Sequence, residues 1–258
     1  MVDVPRLESI LREAGELAMA HWPGAGAEPQ VWEKSRNNPV CSGDLAVDAF
    51  LKRELGALLP EAGWLSEETL DIPEHRSGEL VWVVDPIDGT RDFIRGRRGW
   101  AVSVALVQAG RPVLAMLNAP AWQEFWQAGQ GQGAFVNCER LATSAKSELS
   151  GSRMPCVSLP PEDEGFIRIE QPNSIALRMA MVAAGRADLL ATLRWGYEWD
   201  IAAAALIASE AGAAVSDVLG QELAFNKADP RAFGLMVCPP ALHQAAVAHY
   251  AERASRLI

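Results

Sequence analysis

Apolar residues recur at helical spacing from the first turns of the chain. Leu7, Ile10, Leu11, Ala14, Leu17 and Ala18 share one face with acidic and basic residues between them, which predicts an amphipathic helix and not an apolar leader. Pro, Gly and Asn then crowd the stretch from His21 to Pro39, which reads as a loop. A second amphipathic helix is expected from about Asp44 to Leu59, with Leu45, Val47, Phe50, Leu51 and Leu55 facing inward. A short apolar segment, Gly63 to Ser66, runs into Glu67 and Glu68. The run LVWVV, Leu80 to Val84, is a strand expected to stop at Asp85-Pro86, because proline has no N–H to give a neighbouring strand.

Three more strands follow at Ala101 to Gln108, Pro112 to Asn118 and Glu124 to Gln127, joined closely enough to suggest an antiparallel meander. Beyond about Gly133 the elements alternate. Strands are expected near Pro155 to Leu159 and Phe166 to Ile169, a helix from Ile175 to Ala184, a strand at Asp188 to Thr192, and a helix from Trp199 to Ala211. Strands at Ala213 to Asp217 and Gly234 to Val237 precede a last helix after Pro240. The change of pattern divides the chain near residue 135 into an α+β half, 1–135, and an α/β half, 136–258.

Composition narrows the class. The chain has 258 residues, 49% of them hydrophobic and 22% charged, which is ordinary for a globular protein. No apolar run is long enough to span a bilayer, and the cytoplasm is the expected address. Four scattered cysteines with no nearby histidine argue for reduced thiols over a zinc site or a disulfide framework. The net charge of −10 argues against nucleic-acid polymers and anionic membranes as partners.

The candidate chemistry lies in VWVVDPIDGTRDF, Val81 to Phe93. An apolar strand delivers Asp85, Asp88 follows three residues on, and Gly89 permits an unusual backbone angle before Thr90. Two carboxylates beside free amides suit hard divalent cations and phosphate chemistry, and bound cations would reverse the field that an acidic chain presents to an anionic substrate. Taken alone the same residues also describe a turn, since Asp-Gly and Asp-Pro are common turn dipeptides. The haloacid dehalogenase signature, Asp-x-Asp-Gly-Thr after an apolar strand, is excluded by spacing: the residue two before Asp88 is Pro86.

Three blocks in order, Ser66-Glu67-Glu68, Asp85-Pro86-Ile87-Asp88-Gly89-Thr90 and Glu198-Trp199-Asp200-Ile201-Ala202-Ala203, resemble the inositol monophosphatase superfamily of lithium-sensitive, magnesium-dependent phosphatases. The resemblance implies a layered α-β-α-β-α sandwich, mixing α+β and α/β parts, and two or three Mg²⁺ ions. One ion is expected on Glu67, Asp85 and the Ile87 carbonyl, and a second on Asp85, Asp88 and Asp200. Asp44 would pair with Thr90 to orient an attacking water and stand near a third ion. With Glu67, these two make up the expected catalytic set. Asp88, Gly89, Thr90, Ser174, Glu198 and Asp200 would face the substrate, a small phosphorylated metabolite. Inhibition by Li⁺ and a homodimer are further expectations of the resemblance. Each acid also has a plainer reading, Asp44 and Asp200 as helix N-caps and Glu67-Glu68 as a solvated pair.

Cys41-Ser42-Gly43-Asp44 stands where the family has Thr-x-x-Asp, and Asn173-Ser174 where it has Gly-Ser. The asparagine is expected to supply a left-handed turn there. Arg91-Asp92-Phe93-Ile94 and Glu198-Trp199-Asp200 are similar to the 3′(2′),5′-bisphosphate nucleotidases. Leu193 replaces the acid with which inositol monophosphatases hold a hydroxyl. The substrate expected is therefore 3′-phosphoadenosine 5′-phosphate, with inositol 1-phosphate or another small sugar phosphate as the alternative. A non-catalytic phosphometabolite-binding protein is the alternative from another class. Trp195, Tyr197 and Trp199 read either as a stacking platform for adenine or as core residues. Arg178 and Arg194 are candidates for a second phosphate.

Overall fold

The computed structural model describes residues 2–35 and 38–257. In chain order the main elements are α1 (Val4–His21), β1 (Val31–Ser35), β2 (Asn38–Cys41), α2 (Ser42–Leu58), β3 (Gly63–Ser66), β4 (Leu80–Asp88), α3 (Thr90–Ile94), β5 (Ala101–Gln108), β6 (Arg111–Ala119), β7 (Glu124–Gly129), β8 (Gly133–Val136) and β9 (Glu139–Arg140). They continue with β10 (Arg153–Pro155), β11 (Ile167–Ile169), α4 (Ile175–Ala183), β12 (Leu190–Tyr197), α5 (Glu198–Glu210), β13 (Ala214–Ser216), β14 (Arg231–Cys238) and α6 (Pro240–Ser255).

Strands β3 to β9 form one seven-stranded sheet in chain order, antiparallel except for the parallel β3–β4 pair, so the predicted meander is present. Alternation along the strands fixes what each face buries. Trp82, Val84, Val102, Val104 and Met116 meet Leu7, Ile10 and Leu11 of α1 and Val47, Leu51 and Leu55 of α2. Val81, Val83, Ala105 and Leu117 meet Met179 of α4 and the alanine-rich α5, whose far side packs on Leu235 and Val237 of a second sheet of order β12-β14-β13. The outer face of that sheet carries α6 through Met236, Cys238, Leu242 and Tyr250. The result is the five-layer α-β-α-β-α stack. Helix α5 lies between two sheets, which is why Ala202 to Ala205 are buried on every side and the helix has no polar stripe. The larger sheet runs past residue 135 to Arg140, and one core cluster draws on both sides of that point.

Several expectations are corrected. The segment read as a loop before Pro39 contains the antiparallel pair β1–β2. Leu45 is 45% exposed, because α2 turns a narrower face to the sheet than its apolar count suggests. The strand expected at Pro155 to Leu159 is only Arg153–Pro155, and that expected at Asp188 to Thr192 extends as Leu190–Tyr197, carrying Trp195 and Tyr197 with it. Among the described residues no helix is long and apolar enough to cross a membrane.

Candidate metal centre and active site

Strand β4 does not stop at Pro86. It continues to Asp88 through a bulge: Asp85 pairs with Ser103 and Asp88 with Ala101, so Pro86 and Ile87 share one partner position. The bulge tolerates the missing proline N–H and changes the parity of the strand. Residues three apart on a regular strand face opposite ways; the extra residue lets Asp85 and Asp88 enter the same pocket. The Ile87 amide donates to Asp85 Oδ1 at 3.0 Å, which fixes that carboxylate.

Gly89 ends the strand at φ +98, and a Cβ there would come within 2.6 Å of the Gly99 carbonyl and 2.9 Å of the Ser174 amide. Both the backbone angle and the close approach require glycine. Gly89→Ala should therefore lower stability by about 3 kcal/mol and lower Tm by roughly 10 °C. Thermal unfolding checks this, and an unchanged Tm would mean the turn relaxes freely.

Two acids reach the pocket from the first turn of a helix by the same device. Asp44, third residue of α2, accepts the Cys41 amide on Oδ2 at 2.7 Å and the Thr90 hydroxyl on Oδ1 at 3.2 Å. Asp200, third residue of α5, accepts the Tyr197 amide on Oδ2 at 3.0 Å. Each uses one oxygen to cap its helix and leaves the other for the site, so capping and function are compatible. The Thr-to-Cys departure at position 41 keeps its hydrogen bond to Asp44 because the donor is backbone. Burial, then the Asp44 charge, pushes the Cys41 thiol up to about 12.

Carboxylate oxygens of Glu67, Asp85 and Asp200 lie within 4.8 Å of one another. Asp88 stands beside them but is held by α4, accepting from Ser174 Oγ at 2.5 Å, Ala176 N at 2.7 Å and Ile175 N at 3.3 Å. Burial pushes Asp44 and Asp88 up to about 6, and for Asp88 the donors on α4 oppose the rise. Burial, then the charges of Glu67, Asp88, Asp200 and Asp44, holds Asp85 well above the usual carboxylate range; Asp200 is raised by burial, Asp88 and Glu67. A cluster of mutually repelling acids out of water needs a counter-cation. The residues fit one, and an ammonium already sits against them: Lys34 Nζ lies 2.8 Å from Glu67 and 2.7 Å from Glu68. Oxygen-only donors of this kind suit a hard divalent ion.

An open pocket of about 260 Å³ joins Glu67, Asp85, Asp88, Gly89, Thr90 and Asp200 to Asn173, Arg194, Trp195 and Tyr197. Other residues singled out in the sequence fall elsewhere. Ser174 is fully buried, bound to Asp88 and capping α4 through the Leu177 amide. Glu198 is turned away, accepting the amides of Asn226 and Lys227 and lining a different cavity. Asn173 has no left-handed backbone, contrary to expectation: its amide donates to Asp92 Oδ2 at 3.0 Å, and that bond sets the turn. Trp199 is buried with Tyr197 stacked on it at 4.5 Å. His243 and His249 bind Ser216 and Asp163, away from the pocket. Lys34 was not foreseen; a lone lysine in a polar stretch carries no signal until folding places it over the acids.

A model of the inositol monophosphatase family matches residues 5–256. The fructose-1,6-bisphosphatase/inositol-1-monophosphatase of Thermotoga maritima is 33% identical over 228 residues, covering 84% of this chain and 86% of that protein. The 3′(2′),5′-bisphosphate nucleotidase CysQ of Aggregatibacter actinomycetemcomitans is 32% identical over 209 residues, 75% of this chain and 77% of that one. Among solved structures, the Thermotoga maritima IMPase superposes with a TM-score of 0.84 at 28% identity, covering 99% of both chains. This chain belongs to the inositol monophosphatase family of metal-dependent phosphatases.

Proposed function

We propose that the protein hydrolyses phosphate monoesters with Mg²⁺ held by Glu67, Asp85, Asp88, Asp200 and the Ile87 carbonyl, and that its preferred substrate is 3′-phosphoadenosine 5′-phosphate. Mg²⁺, when bound, supplies Lewis acidity and neutralises charge on the phosphoryl oxygens. The chain's own groups do the rest. Thr90 Oγ1 has a single proton and two acceptors in reach, Asp44 Oδ1 at 3.2 Å and the Ile87 carbonyl at 3.0 Å. With that proton donated, its lone pairs accept a hydrogen bond from a water and aim the water's own lone pair at phosphorus. Asp44, with its carboxyl at about 6, is ionised at neutral pH and is placed to take the water's proton by way of Thr90. Gly89 and Thr90 line the same pocket, and in this reading their backbone amides donate to phosphoryl oxygens.

The observation that carries the nucleotide reading is the indole of Trp195, on the lining of the pocket that holds the carboxylates and 55% exposed. The Arg231 guanidinium lies over the ring at 5.4 Å and Phe233 packs edge-on at 5.3 Å; these fix the indole in place, and its exposed part offers a flat aromatic surface that suits a base. Leu193 supports the same reading. It packs with Ala191 and Phe233 against the α6 core, so the pocket has no carboxylate from that position to accept a polyol hydroxyl.

The test is phosphate release from 3′-phosphoadenosine 5′-phosphate, inositol 1-phosphate, fructose 1,6-bisphosphate and histidinol phosphate, each with Mg²⁺, with added Li⁺ and after chelation. Release fastest from the nucleotide, lost on chelation and suppressed by Li⁺, is the expected result. Preference for inositol 1-phosphate would overturn the substrate, and no release from any ester would overturn catalysis.

A further inference from the structure

We propose that Asp48 is a positioning residue for the metal centre: its buried carboxylate folds the chain from Ser66 to Thr69 into a turn and thereby sets where Glu67 and Glu68 stand. The inference rests on the metal-dependent reading above and not on which ester is preferred.

Helix α2 carries two acids four residues apart, Asp44 and Asp48, and that spacing puts both on one face. Asp44, in the first turn, serves the site through Thr90. Asp48, one turn on and 8% exposed, accepts a hydrogen bond from Ser66 Oγ on Oδ1 at 2.5 Å and from Thr69 Oγ1 on Oδ2 at 2.8 Å. Each oxygen of one carboxylate thus holds one end of the tetrapeptide Ser66-Glu67-Glu68-Thr69. The donors are fixed in turn. Ser66 is buried at the end of β3, and Thr69 Oγ1 accepts the Trp64 indole N–H at 3.3 Å, which leaves its own proton for Asp48.

The turn decides what the two glutamates can reach. Were β3 to continue as a strand, Glu67 and Glu68 would point to opposite faces of the sheet. The strand ends at Ser66 instead, and both carboxylates meet Lys34 Nζ, at 2.8 and 2.7 Å, with Glu67 also beside Asp85 and Asp200.

Fold stability alone does not account for Asp48. Among the described residues its partners are these two hydroxyls and no cation. A buried carboxylate without a cation is disfavoured against a neutral side chain of similar shape. What the carboxylate provides is a pair of acceptors stronger than an amide or a hydroxyl. They hold Glu67 in place against the repulsion it exchanges with Asp85 and Asp200.

The test reads each variant's own response to Mg²⁺. Wild type, Asp48→Ala, Asp48→Asn and Thr69→Val are melted in chelator and across a Mg²⁺ titration, and kcat and KM are measured at saturating Mg²⁺ on the fastest ester. Asp48→Ala should raise the Mg²⁺ concentration that gives half the Tm rise about tenfold or more. It should also lower kcat while changing KM for the ester less than about twofold. Thr69→Val, which leaves the Ser66 bond, should shift the midpoint less and in the same direction. Asp48→Asn, whose amide oxygen still accepts one hydroxyl, should fall between wild type and Asp48→Ala. The double variant Asp48→Ala/Thr69→Val should respond like Asp48→Ala alone, because both changes break the same bond.

A wild-type Mg²⁺ midpoint and kcat in Asp48→Ala, whatever its metal-free Tm, would make Asp48 a folding residue only and overturn the proposal. So would a loss confined to KM, which would place Asp48 at the substrate, or losses in the double variant that add. Thr69→Val and Asp48→Asn keep the comparison available should Asp48→Ala fail to fold, and a wild-type midpoint in both would overturn the proposal equally. A wild type whose Tm ignores Mg²⁺ would instead overturn the metal reading on which the inference rests.

Discussion

Asp85→Asn should abolish turnover and at the same time make the metal-free protein more stable. Asp85 is 1% exposed and faces Glu67, Asp88, Asp200 and Asp44, so in the absence of a cation its charge is opposed by burial and by four neighbours. The amide keeps the shape of the carboxylate, and its oxygen can still accept the Ile87 N–H, so the bulge is retained. What it removes is a charge that repels the cluster and that, in the proposed function, helps to hold a divalent ion. Loss of a carboxylate that would hold the ion should lower kcat by roughly 10³-fold or more. Metal-free thermal unfolding should show the variant melting several degrees above wild type, and the rise in Tm that Mg²⁺ gives wild type should largely vanish. A variant that melts lower than wild type without metal would mean that Asp85 stabilises the fold outright, and near-normal turnover would remove it from the metal centre.

Much of this site could be read along the chain because each acid belongs to a local device. Asp85 and Asp88 flank a proline and a glycine whose backbone restrictions are visible in sequence, and Asp44 and Asp200 stand at helix starts. Apolar periodicity placed most of the individual helices and strands, whereas the α-β-α-β-α layering was what the family resemblance implied; α5, buried on every side, has no periodicity to read. Parity could not be read. Residues three apart on a strand point opposite ways unless a bulge intervenes, and whether Pro86-Ile87 or Leu193-Arg194 are bulged is decided by the partner strand. For the same reason the strand was expected to end at Asp85, and Arg194 could be named as a candidate only without a location. Residues held by distant backbone were the least legible. Glu198 reads as a pocket acid near Asp200, but residues two apart in a helix's first turn point in different directions, and the amides of Asn226 and Lys227 hold it elsewhere. Asn173 was credited with a special backbone angle when its turn is set by Asp92, 81 residues earlier. Lys34 reaches Glu67 from a strand pair that the sequence presented as loop.

The same cluster sets a pH dependence whose sign is opposite to ordinary acid denaturation. Asp44 and Asp88 titrate near 6 in the folded chain against about 3.8 for the unfolded residue, and Glu68 is raised by burial to about 7 from 4.5. Asp85 and Asp200 are raised as well. A folded-state carboxyl above its unfolded value binds protons that the unfolded chain releases, so its contribution is complete below about pH 4 and is lost as pH rises through 6 to 7. The two groups near 6 alone correspond to about 3 kcal/mol each between those limits. Asp163 and Asp188 are shifted the other way, Asp163 by Arg253 and His249 against its burial and Asp188 chiefly by Arg153, but they cost stability only as pH falls below about 4. Metal-free protein should therefore gain Tm on going from pH 7.5 to about pH 5. Divalent cations neutralise the cluster without protons, so the Mg²⁺-induced rise in Tm should be larger at pH 7.5 than at pH 5.5, where protons compete for the same oxygens. Unfolding scans in chelator and in Mg²⁺ across that range decide the matter. A metal-free Tm that climbs with pH, or a Mg²⁺ shift independent of pH, would mean that the acids are neutralised within the chain itself, with Lys34 bearing more of the charge than its contacts with Glu67 and Glu68 suggest.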